Sequence, residues 1–272
     1  TEGVFVTGNT VIDALKTTVR EDYRFSTDEL NHLPYSEKKI LLVTCHRREN
    51  YGEPMRNIML ALRQLAEENR DVELVYPVHL SPVVREAVDR YLRGAPRVHL
   101  IDPLPADEMH NLMARCYLVL TDSGGLQEEA PALGKPVLVL RRETERPEAV
   151  EAGTVKLAGV VQDDIVTMAQ RLIQDRNAYA AMAHAVNPYG DGQACRRIAA
   201  FPAGRTACGL SGITAIRERR DGCGQAEAQL DHLGLCCADS IGAGDDADGH
   251  TARSGWYGSS GYQHHIRADR GD

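Results

Sequence analysis

Between residues 38 and 195, short apolar runs alternate with stretches whose apolar residues recur at helical spacing. The runs are ILLVT (40–44), ELVYPV (73–78), VHLI (98–101), YLVLT (117–121) and PVLVL (136–140). They are continuous rather than alternating, which predicts parallel strands covered by helices on both faces. MRNIMLALRQLAEEN, PVVREAVDRYLRG, ADEMHNLMARC and LQEEAPALG predict the intervening helices. Gly94 and Gly134 stand where two of these helices need a C-terminal cap. This βαβ repetition predicts an α/β fold with a Rossmann-like, doubly wound parallel sheet. A last helical pair, DDIVTMAQRLIQD and NAYAAMAHAV, leads into NPYGDGQACRRI.

The periodicity stops after Ala199. Residues 200–272 are dense in Gly, Asp, Ala, Arg and His and hold too few spaced apolar positions to offset the entropy of ordering, so a mostly disordered tail is expected. Four of the seven cysteines fall after residue 205. Cys236 and Cys237 are adjacent while Cys208 and Cys223 lie far apart, which does not fit a zinc site, and His264 and His265 read as solvated. The organisation expected is a linker with a leading helix at 1–37, a ligand-binding domain at 38–199 and a low-order tail at 200–272.

Composition narrows the function classes. A chain of 272 residues with 43% apolar content can bury a real core. No apolar run approaches the roughly 20 residues that span a bilayer, and TEGVFVTGNT has no basic n-region followed by an apolar h-region. No membrane association is expected. A formal charge of -8 without a basic stripe argues against a nucleic-acid partner, whereas a small anion needs only a few local cations. An odd cysteine count with no framework spacing fits a reducing cytoplasm.

In a doubly wound sheet, ligands bind beyond the carboxyl ends of the strands. There ILLVT runs into CHRREN, ELVYPV into HLS, YLVLT into DSGG and PVLVL into RRETERPE. In TDSGGLQEE, Asp122 or Ser123 can cap a helix beginning near Gly125, and the glycines bare backbone N–H groups at a helix start that favours an anion. Ser123 adds a hydroxyl or is a plain cap. Glu129, nearly two turns on, can accept sugar hydroxyls, and at least one of Glu128 and Glu129 is expected to be solvated. His46, Arg47 and Arg48 suit a diphosphate, or at least one arginine faces water or pairs with Glu49. His79 is a lone strand-end histidine with a structural reading. Arg146 precedes a proline that can open a helix, or pairs with Glu143 or Glu145.

Asp-Ser-Gly-Gly also surrounds serine-protease nucleophiles, but that chemistry needs a base and an orienting acid, and proteases with this local sequence use paired β-barrels rather than a parallel sheet. The G-x-S-x-G elbow, the dinucleotide fingerprint and the P-loop are absent, and no carboxylate–histidine cluster has metal spacing, so no cofactor is expected.

Together VTCHRREN (43–50), YPVHLS (76–81), TDSGGLQEEAPALGKPVLVLR (121–141), TERPEAVEAGTVKL (144–157) and NPYGDGQACRRI (187–198) resemble the non-hydrolysing UDP-N-acetylglucosamine 2-epimerase family, in order, from Thr7 to Ile198. The resemblance implies the C-terminal half of a two-domain GT-B fold. It also implies a cytoplasmic isomerase of polysaccharide biosynthesis that interconverts UDP-GlcNAc and UDP-ManNAc by eliminating and re-adding UDP. His46, Ser123, Gly124, Gly125, Glu129 and Arg146 are implied to hold UDP, Glu129 at the ribose, with His46 and Arg146 also catalytic. Leu104 and Met109 are implied at the uracil, and Arg47 and His79 at a second, activating UDP-GlcNAc. Full-length members are implied to be homodimers.

Two departures set further expectations. The chain opens at what resembles the interdomain linker, VTGNTVIDAL, without the domain whose carboxylates are thought to move the C2 proton. Beyond Ala199 the composition resembles an out-of-frame reading of GC-rich DNA. A truncated, frameshifted gene product or a gene-prediction error is expected, binding UDP but lacking full activity. The alternatives are a GT-B UDP-sugar glycosyltransferase and a non-catalytic nucleotide-sugar binding module.

Overall fold

The computed structural model describes residues 4–200 and the backbone of two short strands, Thr214–Ala215 and His265–Arg267. The expectations for the tail, including its cysteines and His264, lie outside the described residues.

The chain enters through β1 (Val4–Val6), α1 (Thr10–Thr18) and α2 (Asp28–Asn31). It then alternates: β2 (Lys39–Thr44), α3 (Glu53–Glu68), β3 (Val72–Pro77), α4 (Pro82–Tyr91) and β4 (Val98–Ile101). A second series follows: α5 (Ala106–Arg115), β5 (Leu118–Thr121), α6 (Gly124–Ala132), β6 (Val137–Val139), α7 (Pro147–Glu151) and β7 (Val155–Leu157). The helices α8 (Gln162–Gln174), α9 (Arg176–Ala183) and α10 (Ala194–Ala200) complete the domain.

Six strands form one parallel sheet in the order β4-β3-β2-β5-β6-β7. The chain builds outward from β2 to β4, returns through α5, and builds the other way from β5. The strand order therefore reverses between β2 and β5, and the crevice at their carboxyl ends is the switch point where doubly wound sheets take ligands.

Period-2 geometry divides each apolar run between two cores. Leu41, Val43, Leu74, Tyr76, Leu118 and Leu120 face α3, α4 and α8. Ile40, Leu42, Val75, Val119, Val137 and Val139 face the opposite layer, into which Ile12, Leu15, Phe25 and Leu30 also pack. The segment before β2 is thus part of a core. In α3, Met55, Ile58, Met59, Leu62, Leu65 and Ala66 recur three and four residues apart and are buried on one face.

β7 fell outside the predicted strands because VKL is three residues long with a lysine at its centre, too short to show a period. One expected cap is present: Gly134 directly follows the C-cap Leu133 of α6 with φ 67°, a region glycine enters without steric cost, whereas α4 is capped at Leu92 and Gly94, with φ 76°, turns the chain two residues further on.

The last described helix closes back on the first. The Asp13 carboxylate accepts the backbone N–H of Ala194 and of Cys195, both at 3.0 Å, and Lys16 Nζ donates to the carbonyls of Asp191 and Gly192. Gly8 and Gly190 meet backbone to backbone beneath this clasp: a Cβ on Gly190, whose φ is 131°, would lie 3.3 Å from Gly8 Cα.

Candidate functional site

The polar clusters after β2, β3, β5 and β6 converge at the switch point. α6 starts at Gly124, with Ser123 in the N-cap position at φ -83° and ψ 132°. The Ser123 hydroxyl makes no capping bond, so the plain-cap reading does not hold. Its backbone N–H is turned instead to Thr121 Oγ1 at 2.9 Å, and Thr121 Oγ1 lies 2.6 Å from Thr44 Oγ1, tying the ends of β5 and β2 together.

Gly124 lies between two guanidinium groups. A Cβ there would stand 3.7 Å from Arg47 Nη2 and 3.8 Å from Arg146 Nη2. At the next residue, a Cβ on Gly125 would stand 3.5 Å from Glu129 Oε1 and 3.9 Å from Ser123 Oγ. The missing side chains leave the helix start open between cations, an arrangement that receives an anion.

Each cation is oriented by a carboxylate. Arg146 donates from Nε to Glu128 Oε1 at 2.5 Å and from Nη1 to the Glu145 backbone carbonyl at 3.2 Å. Asn9, the N-cap of α1, donates its amide to Glu128 Oε2. Burial opposes the charge on Arg146, but the Glu128 hydrogen bond and charge outweigh it and raise its pKa. Arg47 Nη1 lies 3.7 Å from Glu145 Oε1, and Arg48 is exposed. Glu49 pairs with the buried Arg141, whose Nε lies 2.5 Å from Glu49 Oε1.

Glu128 and Glu129 are both withdrawn from water, with side-chain exposures of 5% and 14%, so the expectation of a solvated carboxylate there is corrected. α6 lies between the sheet and α1, which leaves neither position facing solvent. Burial, then the neighbouring Glu128, pushes the Glu129 carboxyl up to about 7. His110 Nε2 lies 3.6 Å from Glu129 Oε2, and its Nδ1 lies 2.8 Å from Thr18 Oγ1. Burial holds the His110 imidazole below its usual range.

His46 stacks on His79, the ring centroids 5.2 Å apart and the planes at 12°. Burial and the facing His46 lower the His79 pKa, and His79 Nδ1 accepts the Ser81 N–H at 3.1 Å. Leu104 and Met109 are half-buried and pack against the core layer that contains α1. The fold therefore brings His46, Arg47, His79, Ser123, Gly124, Gly125, Glu129 and Arg146 to one crevice, with Leu104 and Met109 on the α5 side. Sequence reasoning read Asp122 only as a candidate cap, and missed Glu128 as a clamp, His110 and Arg141. Each acts through a distant partner, and only the buried DSGG aspartate carried a visible signal. A depression of about 940 Å³ lined by Lys39, Arg70, Tyr117, Arg176 and Tyr179 lies at the opposite end of the strands.

Comparison with known proteins gives the same picture. A family model described as UDP-N-acetylglucosamine 2-epimerase matches residues 1–201. The UDP-N-acetylglucosamine 2-epimerase of Bacillus subtilis is 55% identical over 197 residues, covering 72% of this chain and 51% of that protein. The S. aureus MnaA-UDP co-structure superposes with a TM-score of 0.67 at 49% identity, covering 72% of this chain and 52% of that one. The UDP-GlcNAc 2-epimerase from Neisseria meningitidis bound to UDP-GlcNAc superposes with a TM-score of 0.65 at 44% identity, covering 72% and 54%. The chain spans about half the length of the curated relatives it matches.

Proposed function

The chain belongs to the UDP-N-acetylglucosamine 2-epimerase family, and from that membership we propose that its crevice is the UDP-holding half of an epimerase site. The observation that carries this reading is the placement of Gly124, at the start of α6, between the Arg47 and Arg146 guanidiniums. Backbone amides, two delocalised cations and an imidazole there match a diphosphate in charge and in donor geometry. Glu129, further along α6, is within reach of a ribose whose diphosphate occupies the helix start, and Leu104 and Met109 flank the side where a base would extend.

The same groups have a chemical role. Breaking the sugar C1–O bond transfers charge to the departing diphosphate. Donors fixed before the reaction stabilise that charge without reorganising, so Arg146 and His46 assist the departure and return of UDP as well as its binding. Arg47, beside Gly124, and His79, stacked on His46, are also assigned to a second nucleotide sugar that activates the enzyme. The full enzyme is read as a cytoplasmic homodimer acting on UDP-GlcNAc and UDP-ManNAc. Among the described residues no helix is long and apolar enough to cross a membrane. Among the described residues, the carboxylates at this crevice do not offer a free base for the C2 proton: Asp122 and Glu128 are held by donors, Glu145 pairs with Arg47, and Glu129 is given to the ribose. The chain by itself is therefore read as a UDP binder without turnover.

Calorimetric titration tests the proposal. UDP should bind more tightly than UMP, and Arg146→Ala and Glu129→Ala should each weaken it. Unchanged affinity in both variants overturns the site. Incubation with UDP-GlcNAc should yield no UDP-ManNAc, and clear turnover overturns the assignment of this chain as a binder alone.

A further inference from the structure

Asp122 is the one residue of the DSGG turn without a part in holding nucleotide. Its carboxylate is fully buried between the ends of β5 and β2. Oδ2 accepts the backbone N–H of His46 at 2.8 Å and of Arg47 at 2.7 Å, and the Asn50 side-chain amide at 3.1 Å. Oδ1 accepts no hydrogen bond and is shut away from water, an expensive state for a carboxylate oxygen. The His46 ring faces it, with Nδ1 3.4 Å from Oδ1.

That separation is slightly too long and ill-directed for a formed hydrogen bond, and a small rotation of the imidazole closes it. Because Oδ1 can only accept, Nδ1 must carry the proton, leaving Nε2 as the nitrogen available to a ligand. We propose that Asp122 is the positioning residue of His46: it fixes the Nδ1–H tautomer, closes the Nδ1–H···Oδ1 bond when a nucleoside diphosphate enters, and so aims Nε2 at a phosphate oxygen. The Nδ1–H ring takes up a second proton from water at Nε2 as the anion enters, so that Nε2–H donates to phosphate and the buried carboxylate compensates the resulting charge. The Oδ2 bonds make the device rigid, since the same carboxylate fixes the backbone on which His46 stands. This inference rests on reading the crevice as a nucleoside diphosphate site.

A double-mutant cycle in UDP affinity tests it. Asp122→Asn keeps an oxygen for the His46 and Arg47 amides and should weaken UDP by about tenfold, the scale of one charge-assisted hydrogen bond. His46→Ala should weaken it similarly. The double variant should bind no more weakly than His46→Ala, because the aspartate then has no ring to orient. Independent, additive losses overturn the proposal and make Asp122 a support for the loop alone. ¹⁵N NMR of the His46 ring in the unmutated chain gives a second readout that needs no variant to fold. A neutral ring protonated at Nδ1 supports the inference, and a neutral ring protonated at Nε2 overturns it. A chain that takes up no UDP overturns the nucleotide reading instead, and the ligand-free tautomer still decides the relation of Asp122 to His46.

Discussion

Arg146 meets Glu128 edge-on, its Nε 2.5 Å from Oε1, while its Nη2 reaches toward Gly124. The guanidinium is thereby held from behind at one edge and directed at the helix start with the other. A buried ion pair of this kind contributes little net stability, but breaking it leaves an uncompensated charge.

Glu128→Gln therefore destabilises the domain by about 3 kcal/mol, the scale for removing one partner of a buried pair. UDP affinity falls as well, because Arg146 loses its support. Thermal melts and calorimetry on the same preparation check both effects; a variant as stable as the parent counts against the clamp.

Gly124→Ala separates binding from folding. The added Cβ would meet the Arg47 and Arg146 nitrogens at 3.7 and 3.8 Å, which is ordinary contact, so the fold accommodates it. Replacing a helical glycine raises stability by up to about 1 kcal/mol. The methyl group nevertheless occupies the space between the cations, and UDP affinity drops by about tenfold or more as charge-assisted bonds lengthen. A stabilised variant that binds UDP normally would place the phosphates elsewhere.

The Glu129 carboxyl, pushed up to about 7 by burial and by Glu128, gives nucleoside binding a pH dependence. Its ionised form is the better acceptor for ribose hydroxyls, so affinity rises with pH through about 7. Uridine is the suitable probe because it carries no phosphate that titrates in this range. The stability effect has the opposite sign: a raised folded pKa favours folding fully below the ordinary value of 4.5, and that contribution is lost as pH rises through about 7. Uridine titrations monitored by NMR across this range should show the rise in the parent and a flat profile in Glu129→Gln.

His99 bridges Glu29 and Glu73, with Nδ1 2.6 Å from Glu29 Oε1 and Nε2 2.9 Å from Glu73 Oε2. Burial lowers its pKa, but the bonds to Glu73 and Glu29 outweigh that and raise it above 6.5. A raised folded pKa stabilises fully below 6.5 and ceases to do so as pH climbs through the folded value. The melting-temperature difference between the parent and His99→Gln should accordingly shrink as pH is raised above neutral; a difference independent of pH would show that the imidazole's charge is not used.

The layered fold was legible because buried parallel strands leave uninterrupted apolar runs and α3 repeats its apolar residues on one face. The crevice was legible because strand ends are where a doubly wound sheet concentrates polar sequence. What sequence could not show were relations across the chain. Glu128 looked like a helix-surface carboxylate because the position of α1, which buries it, depends on residues about a hundred positions earlier. Asp122 looked like a capping residue, yet its carboxylate turns back to amides after β2, a choice made by strand adjacency rather than local spacing. β7 is recognisable as a strand only through its pairing with β6.

α10 takes the acceptor for its first amides from Asp13, on the other side of the domain in sequence. A helix capped from its own loop can flicker into existence in the unfolded chain, but one capped from α1 cannot, because its starting amides lack that partner until α1 has docked. These two bonds therefore form only when α1 is seated against the NPYGDG turn, so hydrogen exchange at Ala194 and Cys195 reports the seating of α1.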